Sequence, residues 1–293
     1  SARANVRLLP LLRRQIQIDE LLVDGLHVNL LKNRKGENNW PDFFANKSED
    51  SNDGKRFEIS VRAVRLSGAT ISYRDQSQKT EFSLSEIELK TGDLGGAAPA
   101  PVQFEAKLTM AKPAVKGAMS LTGNALINPA NRTYAARGIQ FTFTGDDRIT
   151  ATLKGDAALD LNTQSLNAEI AATLLDLALD AKVVTEAIDS QHRFRGKLTL
   201  HEFNPRSLLA KLDRATPQTR DKSVLTRAQL SVDVAGDDAG FTLEPIAGRL
   251  DSSAISGKVT VVDYRTPRIR FHLNVDQLDL DRYRPPAPRP PSL

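Results

Sequence analysis

A strict alternation of apolar and polar residues, which returns in segment after segment, is the feature that most restricts the fold of this chain. Val102, Phe104, Ala106, Leu108 and Met110 alternate with polar residues. The same period of two recurs over residues 139–143, 149–153, 166–172, 175–183, 230–234, 255–261 and 269–275. A period of two gives a strand one apolar face and one polar face. The sequence therefore predicts a sheet with a single apolar face.

Turn-forming pairs separate these segments and indicate how the strands are connected. They include Asn128-Pro129, Gly145-Asp146, Gly155-Asp156, Gly236-Asp237 and Thr266-Pro267. Connections of only a few residues join antiparallel strands, whereas parallel strands need long crossovers. We therefore expect an all-β, mostly antiparallel, elongated and curved sheet.

Helical periodicity is confined to three short segments. An amphipathic helix is predicted over residues 5–15, divided by Pro10. Another is predicted over about 204–213, because Asn204 can cap it and Pro205 suits its first turn. The third and shortest candidate begins with Thr219 as its cap.

So few helices cannot cover the apolar face. At a spacing of ~4.8 Å, about fourteen strands would make a sheet roughly 65 Å across. Such a sheet must close into a barrel, fold onto itself as a sandwich, or curl into a trough whose apolar lining meets a ligand. The residue pattern leaves these three alternatives open.

Composition and motifs exclude several functional classes. The absence of Cys excludes disulfides, thiolate zinc sites and a cysteine nucleophile. Forty basic residues against 36 acidic ones give a net charge of only +4, and aromatic residues are 5%, so we expect no nucleic-acid partner. No nucleophile elbow, zincin, Walker A or dinucleotide motif is present, so we expect no enzyme activity and no cofactor.

Both ends of the chain suggest a piece of a longer protein. The chain begins without Met and has no run of 18 apolar residues, and its last residues, 285–293, are rich in proline. We expect one elongated segment over residues 1–284, followed by a linker over 285–293.

An internal echo links two parts of the chain at an offset of 43 residues. Ile18, Leu21, Val23, Gly25, Val28 and Leu30 match Val61, Val64, Leu66, Gly68, Ile71 and Tyr73. We interpret each copy as a strand, a bend and a strand, with Gly25 and Gly68 supplying a bulge or a positive φ. A weaker echo at an offset of 75 links residues 198–203 to 273–278.

The order of several motifs resembles that of the bacterial AsmA family. The motifs are Leu8-Leu9-Pro10-Leu11-Leu12, Val23-Asp24-Gly25, Gly36-x-Asn38-Asn39-Trp40, Ser67-Gly68-Ala69, Asn204-Pro205-Arg206, Pro217-x-Thr219-x-Asp221, Leu250-Asp251 and Leu278-Asp279-Leu280-Asp281-Arg282-Tyr283. The resemblance covers most of residues 6–286. It implies a β-trough similar to that of chorein-like lipid-transfer proteins, in the periplasm of a Gram-negative bacterium.

The resemblance also implies partners and a site. It implies an anchor in the inner membrane through an N-terminal helix that precedes this chain, a phospholipid or other membrane lipid as ligand, and a part in outer-membrane biogenesis. The residues predicted to line the lipid groove are Phe104, Leu108, Ile139, Phe141, Phe143, Leu153, Ile170, Leu175, Leu177 and Leu179. The alternative is that they form a dry core, in a scaffold that supports outer-membrane protein assembly through contacts with envelope proteins.

Other chemically distinctive residues are expected to be structural. The four histidines, His27, His192, His201 and His272, lack metal-ligand spacing. The aspartates of residues 276–281 lack the spacing of a calcium loop, so no metal is expected. Trp40, the single tryptophan, is expected to anchor a turn.

Overall fold

The alternating segments form strands in a computed structural model, which describes residues 1–6, 15–40, 58–96, 98–112, 114–146, 149–188 and 192–286. The first eight strands are β1 (Ala2–Val6), β2 (Gln15–Asp24), β3 (His27–Lys32), β4 (Glu58–Asp75), β5 (Thr80–Thr91), β6 (Ala100–Met110), β7 (Val115–Asn128) and β8 (Thr133–Gly145). The other eight are β9 (Thr150–Asp160), β10 (Ser165–Leu174), β11 (Leu177–Glu186), β12 (Arg193–Phe203), β13 (Ala228–Asp237), β14 (Gly240–Leu250), β15 (Ser253–Val262) and β16 (Arg268–Val275). In the described residues two short helices accompany them, α1 (Pro205–Lys211) and α2 (Leu280–Tyr283). The predicted all-β class with a few short helices is confirmed.

The strands belong to one open sheet, and the contacts divide the chain into two compact units. Unit 1 comprises Ser1–Ala130 and Tyr134–Thr150, and unit 2 comprises Asn131–Thr133 and Ala151–Leu293. In unit 1 the strand order is β1-β2-β4-β5-β6-β7-β8, with β3 also paired to β4. In unit 2 the strands β9 to β16 follow one another in chain order, and each pair is antiparallel. The predicted antiparallel meander is therefore present in unit 2.

The 43-residue echo has a direct structural meaning. Strands β2 and β3 both pair in parallel with β4, and every residue lies beside the one 43 positions later, as Ile18 beside Val61 and Val28 beside Ile71. The two copies are thus stacked in register, so that like residues become neighbours. The second copy is one long strand rather than the expected strand, bend and strand.

The glycines of the echo have the predicted backbone conformation. Gly25 has a φ of 66° between β2 and β3, and Gly68 has a φ of 59° inside β4. A side chain is strained at such a φ, which explains the glycine at both places. The weaker echo at an offset of 75 is not a pairing, because β12 pairs with β11 and β13 and β16 pairs with β15.

The two units differ in how much apolar surface they bury. In unit 1, Ala69, Ile87 and Ala106 form a small buried cluster. Leu66, Ile71, Leu84, Phe104 and Met119 pack against it. In the described part of unit 2, the buried apolar residues are only Val224 and Val232. The apolar faces of the unit 2 strands therefore lack a covering layer.

Two helix predictions need correction, and one is confirmed. Helix α1 lies where it was predicted, with Asn204 accepting a hydrogen bond from Ser207 N at 3.0 Å. No helix begins at Thr219, because its hydroxyl group does not cap a backbone N–H. It donates a hydrogen bond to Asp221 O at 2.6 Å and accepts one from the guanidinium group of Arg206. The predicted helix over 5–15 is wrong at both ends, which belong to β1 and β2, and residues 7–14 lie outside the described residues.

Two local predictions within the strands are also wrong. The pair Gly155-Asp156 was predicted as a turn but lies inside β9. Leu175 was predicted as a strand residue but lies in the turn between β10 and β11, with a φ of 55°. Leu174 takes the last strand position instead, and it pairs with Leu177.

Candidate functional site

The apolar face of unit 1 carries five of the predicted lipid contacts. Leu108 on β6 lies opposite Gly117 on β7. A Cβ atom on Gly117 would be 2.7 Å from Phe143 Cζ on β8, so Leu108 and Phe143 share one face. The ring of Phe143 covers the bare backbone of this glycine and is itself buried. The other three predicted contacts lie on the same face, because each is an even number of residues from Leu108 on β6 or from Phe143 on β8. They are Phe104, Ile139 and Phe141.

The opposite face of unit 1 is polar. Ser120 Oγ lies 2.7 Å from Thr142 Oγ1, and Lys107 Nζ donates a hydrogen bond to Glu86 at 2.8 Å. This separation of the faces agrees with the alternation predicted for β6 and β8. A shift of one residue would have placed the apolar side chains on the polar face.

An aromatic cluster ends the apolar face near the stacked repeat. The rings of Trp40 and Tyr73 are 6.1 Å apart, and those of Tyr73 and Phe82 are 5.2 Å apart. Asn39, just before Trp40, accepts a hydrogen bond from Leu31 N at 2.7 Å. Trp40 therefore anchors the turn that follows β3, as predicted.

Unit 2 carries a more extensive apolar face, in four rows that cross all its strands. The pairings from β9 to β16 place residues of like character side by side. The rows are Leu153, Ala172, Leu179, Leu200, Leu230, Gly248, Ile255 and Val275; Gly155, Ile170, Ala181, Leu198, Val232, Ile246, Gly257 and Leu273; Ala157, Ala168, Val183, Gly196, Val234, Leu243, Val259 and Phe271; and Leu159, Leu166, Thr185, Phe194, Gly236, Phe241, Val261 and Ile269. We call these the apolar rows, and Thr185 is their single polar member.

The apolar rows are too large and too open for an ordinary surface. Eight strands at ~4.8 Å and four rows at ~6.8 Å give a face of roughly 34 by 20 Å, or about 700 Å². Apolar patches on soluble monomers rarely exceed a few hundred Å². Exposure is 36% for Leu198 and Leu230 and reaches 73% for Phe271, while Val232 alone in the rows is buried. The face is thus available to an apolar ligand.

Most predicted residues of unit 2 lie on this face. Leu153, Ile170 and Leu179 belong to the apolar rows, and Leu177 continues the face beyond them. Leu175 does not, because it lies in the turn.

Sequence reasoning missed much of the site on the later strands. Phe194, Phe241 and Ile246 belong to the rows but were not among the predicted contacts. Alternation around Ile246 is interrupted by a bulge between Leu243 and Ile246, which hides the period of two. The regular alternation from β12 to β16 could have revealed the rest.

Helix α1 closes one end of the strands of unit 2. Ser207 Oγ donates a hydrogen bond to Asp176 at 3.0 Å, and Lys211 pairs with the same carboxylate. The Lys211 contact, followed by the Ser207 contact, lowers the pKa of Asp176. These bonds hold α1 beside the turn between β10 and β11, where Leu174 ends the apolar face. We call this the α1 end of unit 2.

Several motifs that are distant in sequence meet at the α1 end. Arg282 Nε donates to Asp221 at 2.8 Å, and the Tyr283 hydroxyl donates to Asp251 at 2.8 Å. We call Asp221, Asp251, Arg282 and Tyr283 the end cluster. It joins the connection after α1, the turn after β14 and helix α2, so it fixes the order of the segments around the apolar rows.

Hydrogen bonding sets the charge state of the end cluster. Bonds from Ser223 N and Oγ, and then from Arg282, lower the pKa of Asp221 to about 2. Burial raises the pKa of Asp251, but the bonds from Leu225 N and other donors outweigh it, so the net shift is downward. Both carboxylates are therefore ionised at neutral pH and act as acceptors.

The described residues hold no cluster of three or more metal-ligating side chains. His192 and His201 pair with single carboxylates, Asp238 at 2.7 Å and Asp180 at 2.6 Å. An open cavity of about 530 Å³ lies at the end of unit 2 opposite α1. Residues of the other face, such as Val184 and Arg195, line it together with Phe194, Gly236, Phe241 and Val261 of the fourth apolar row.

Comparison with known proteins places the chain in a family. None of the helices in the described residues is long and apolar enough to cross a membrane. No curated protein and no solved structure matches the chain. The model of the AsmA family matches residues 1–287, which is nearly the whole chain. The order of motifs, the open sheet and this match agree, and the chain belongs to the AsmA family.

Proposed function

We propose that the chain binds the acyl chains of a phospholipid, or of another membrane lipid, on its apolar faces and passes the lipid between membranes without catalysing a reaction. The observation that carries this proposal is the uncovered set of apolar rows in unit 2. Family membership supports a location in the periplasm, with an anchor in the inner membrane and a role in outer-membrane biogenesis.

The free energy of lipid binding favours a lipid that can leave the protein again over one that is held permanently. Covering half of the apolar rows, roughly 350 Å², would contribute about 9 kcal/mol relative to water. A lipid that leaves a bilayer loses an equally apolar environment, so the exchange is nearly balanced. The rows repeat the same chemistry on each strand, so a chain that moves from strand to strand meets no large barrier.

The test uses neighbouring residues on opposite faces of β13. Leu230 lies in the apolar rows, whereas Gln229 lies on the other face opposite Arg249. Both side chains are exposed, so Leu230→Asp and Gln229→Asp add the same group at neighbouring positions. The protein is incubated with phospholipid vesicles, separated from them and analysed by native mass spectrometry. A carboxylate that lies beneath a bound acyl chain makes lipid binding less favourable by at least ~2 kcal/mol, so the lipid occupancy of Leu230→Asp should fall tenfold or more.

The control and the stability of the variants separate an open face from a dry core. Gln229→Asp should keep the occupancy of the unmodified protein. Leu230→Asp should lower the free energy of unfolding by less than about 1.5 kcal/mol, because this side chain already contacts water. A loss of several kcal/mol, or an unmodified protein that takes up no lipid, would refute the proposal.

A second candidate function rests on β16. All eight of its residues are exposed, and among the described strands it pairs only with β15. A free strand edge can bind a partner protein by strand addition. The chain would then be a scaffold for outer-membrane protein assembly. The test measures outer-membrane integrity in cells that carry Leu230→Asp. If the outer membrane stays intact although the variant no longer binds lipid, this alternative is favoured.

A further inference from the structure

The α1 end of unit 2 exposes leucine side chains beside the apolar face. Leu174, the last residue of β10, is 48% exposed, and Leu212, directly after α1, is 49% exposed. The hydrogen bond from Ser207 to Asp176 holds α1 next to the turn that follows Leu174. An apolar rim therefore continues the apolar face to the edge of the unit.

The connection from β12 to β13, residues 204–227, carries an excess of positive charge at the same end of unit 2. It contains six basic and two acidic residues. Arg214, Arg220 and Lys222 are exposed, and their side chains make no ion pair with the described residues. Arg206 is bound to the backbone instead, with its Nε 2.7 Å from Val224 O and its Nη1 3.3 Å from Pro217 O. These hydrogen bonds hold the connection against α1.

Two acidic groups of the same end have cationic partners within the protein, whereas Asp213, Asp276 and Asp279 are exposed and make no ion pair with the described residues. Asp176 pairs with Lys211, and Asp221 pairs with Arg282. Asp251 accepts hydrogen bonds from backbone N–H groups and from the Tyr283 hydroxyl. Within the connection itself, the exposed Arg214, Arg220 and Lys222 outnumber the one unpaired acidic residue, Asp213, so the charge that the connection offers an external partner is positive.

We propose that the α1 end of unit 2 rests on an anionic lipid bilayer. Leu174 and Leu212 enter the headgroup region, and Arg214, Arg220 and Lys222 lie against the phosphates. This inference rests on the proposed function, because it gives acyl chains a path from a bilayer to the apolar rows that avoids water. A bilayer fits the rim better than a protein partner does, since it supplies apolar chains and anionic groups together.

The experiment is co-sedimentation with vesicles of phosphatidylcholine alone or mixed with phosphatidylglycerol. The protein should bind the anionic vesicles, and binding should weaken as salt increases. Arg214→Gln with Lys222→Gln should weaken partitioning about 30-fold, at ~1 kcal/mol for each basic residue near the surface. Arg193→Gln with Arg265→Gln removes the same charge at the opposite end of the strands and should leave partitioning unchanged. Equal losses in the two double variants would overturn the proposal, because net charge alone would then explain binding.

Two further measurements distinguish this inference from the proposed function. Leu212→Ser should weaken binding to anionic vesicles without any change of charge, and unchanged binding would show that the rim does not enter the bilayer. Lipid occupancy is measured in parallel by native mass spectrometry. A protein that carries lipid but does not bind anionic vesicles refutes the inference and leaves the proposed function intact. A protein that binds the vesicles through this end but carries no lipid supports the surface and refutes the function.

Discussion

Replacement of Asp251 by alanine should be among the most damaging single changes in unit 2, although this residue lies in a turn. Its carboxylate accepts hydrogen bonds from Leu225 N at 2.7 Å, Thr226 N at 2.9 Å and Arg227 N at 3.2 Å, and from the Tyr283 hydroxyl at 2.8 Å. Each bond contributes about 1 kcal/mol net, because water can partly replace a lost acceptor at this half-buried site. The four bonds therefore contribute about 4 kcal/mol in total.

Backbone geometry adds to this loss. Asp251 has a φ of 52°, a region that aspartate tolerates better than alanine does. We add about 1 kcal/mol for alanine and expect a loss of about 5 kcal/mol in the free energy of unfolding. Asp251→Gly removes the bonds without this strain and should lose about 4 kcal/mol. Asp251→Asn keeps the oxygen that Thr226 and Arg227 approach and should lose about 2 kcal/mol.

The assay is urea unfolding followed by far-UV circular dichroism, with hydrogen exchange at Leu225, Thr226 and Arg227 as a local readout. The three amides should lose protection in Asp251→Ala before the strands do. The order of damage, with alanine worst and asparagine mildest, is the signature of a carboxylate that caps backbone N–H groups. A loss below about 1.5 kcal/mol for alanine would refute the reasoning.

Two further predictions concern glycine and pH. A Cβ atom on Gly248 would have its nearest neighbours at 3.5–3.7 Å, so Gly248→Ala should raise the free energy of unfolding, measured in urea, by ~0.5–1 kcal/mol. A Cβ atom on Gly155 would overlap the backbone of β10, so Gly155→Ala should lower the free energy of unfolding by ~1–3 kcal/mol. Since the pKa of Asp221 is lowered from 3.8 to about 2, its bonds to Ser223 and Arg282 stabilise the fold above pH 3.8 and should be lost as the pH falls through about 2. Unfolding measured across this range should depend less on pH in Asp221→Asn, and an unchanged dependence would contradict the assignment.

Much of the sheet could be predicted because alternation is a local property of each strand. The faces of Phe104, Leu108 and Phe143 follow from a period of two, and the structure bears them out. The same logic fails at Gly155, for which it predicts a turn. Gly155 lies inside β9 opposite Ile170, where the close approach of β10 leaves no room for a side chain. A glycine that makes room for a neighbouring strand cannot be distinguished in sequence from one that makes a turn.

The end cluster could not have been predicted from local pattern. Asp221 and Arg282 are 61 residues apart, and nothing near either residue indicates its partner. The resemblance to the AsmA family singled out both motifs, but it did not show that they touch. The echo lies between these cases, because an offset of 43 was visible in sequence while its parallel, in-register stacking was not.

The strand order of unit 2 has a consequence for how this unit folds. Each strand from β10 to β16 pairs with the strand before it in the chain, so the pairings of unit 2 join elements that are neighbours in sequence. Such a low contact order favours rapid folding by stepwise addition of strands. The bond between Asp221 and Arg282 spans four intervening strands and can form only after β16 has been added. Its formation therefore marks the completion of the unit, and hydrogen exchange should find this end protected last during refolding.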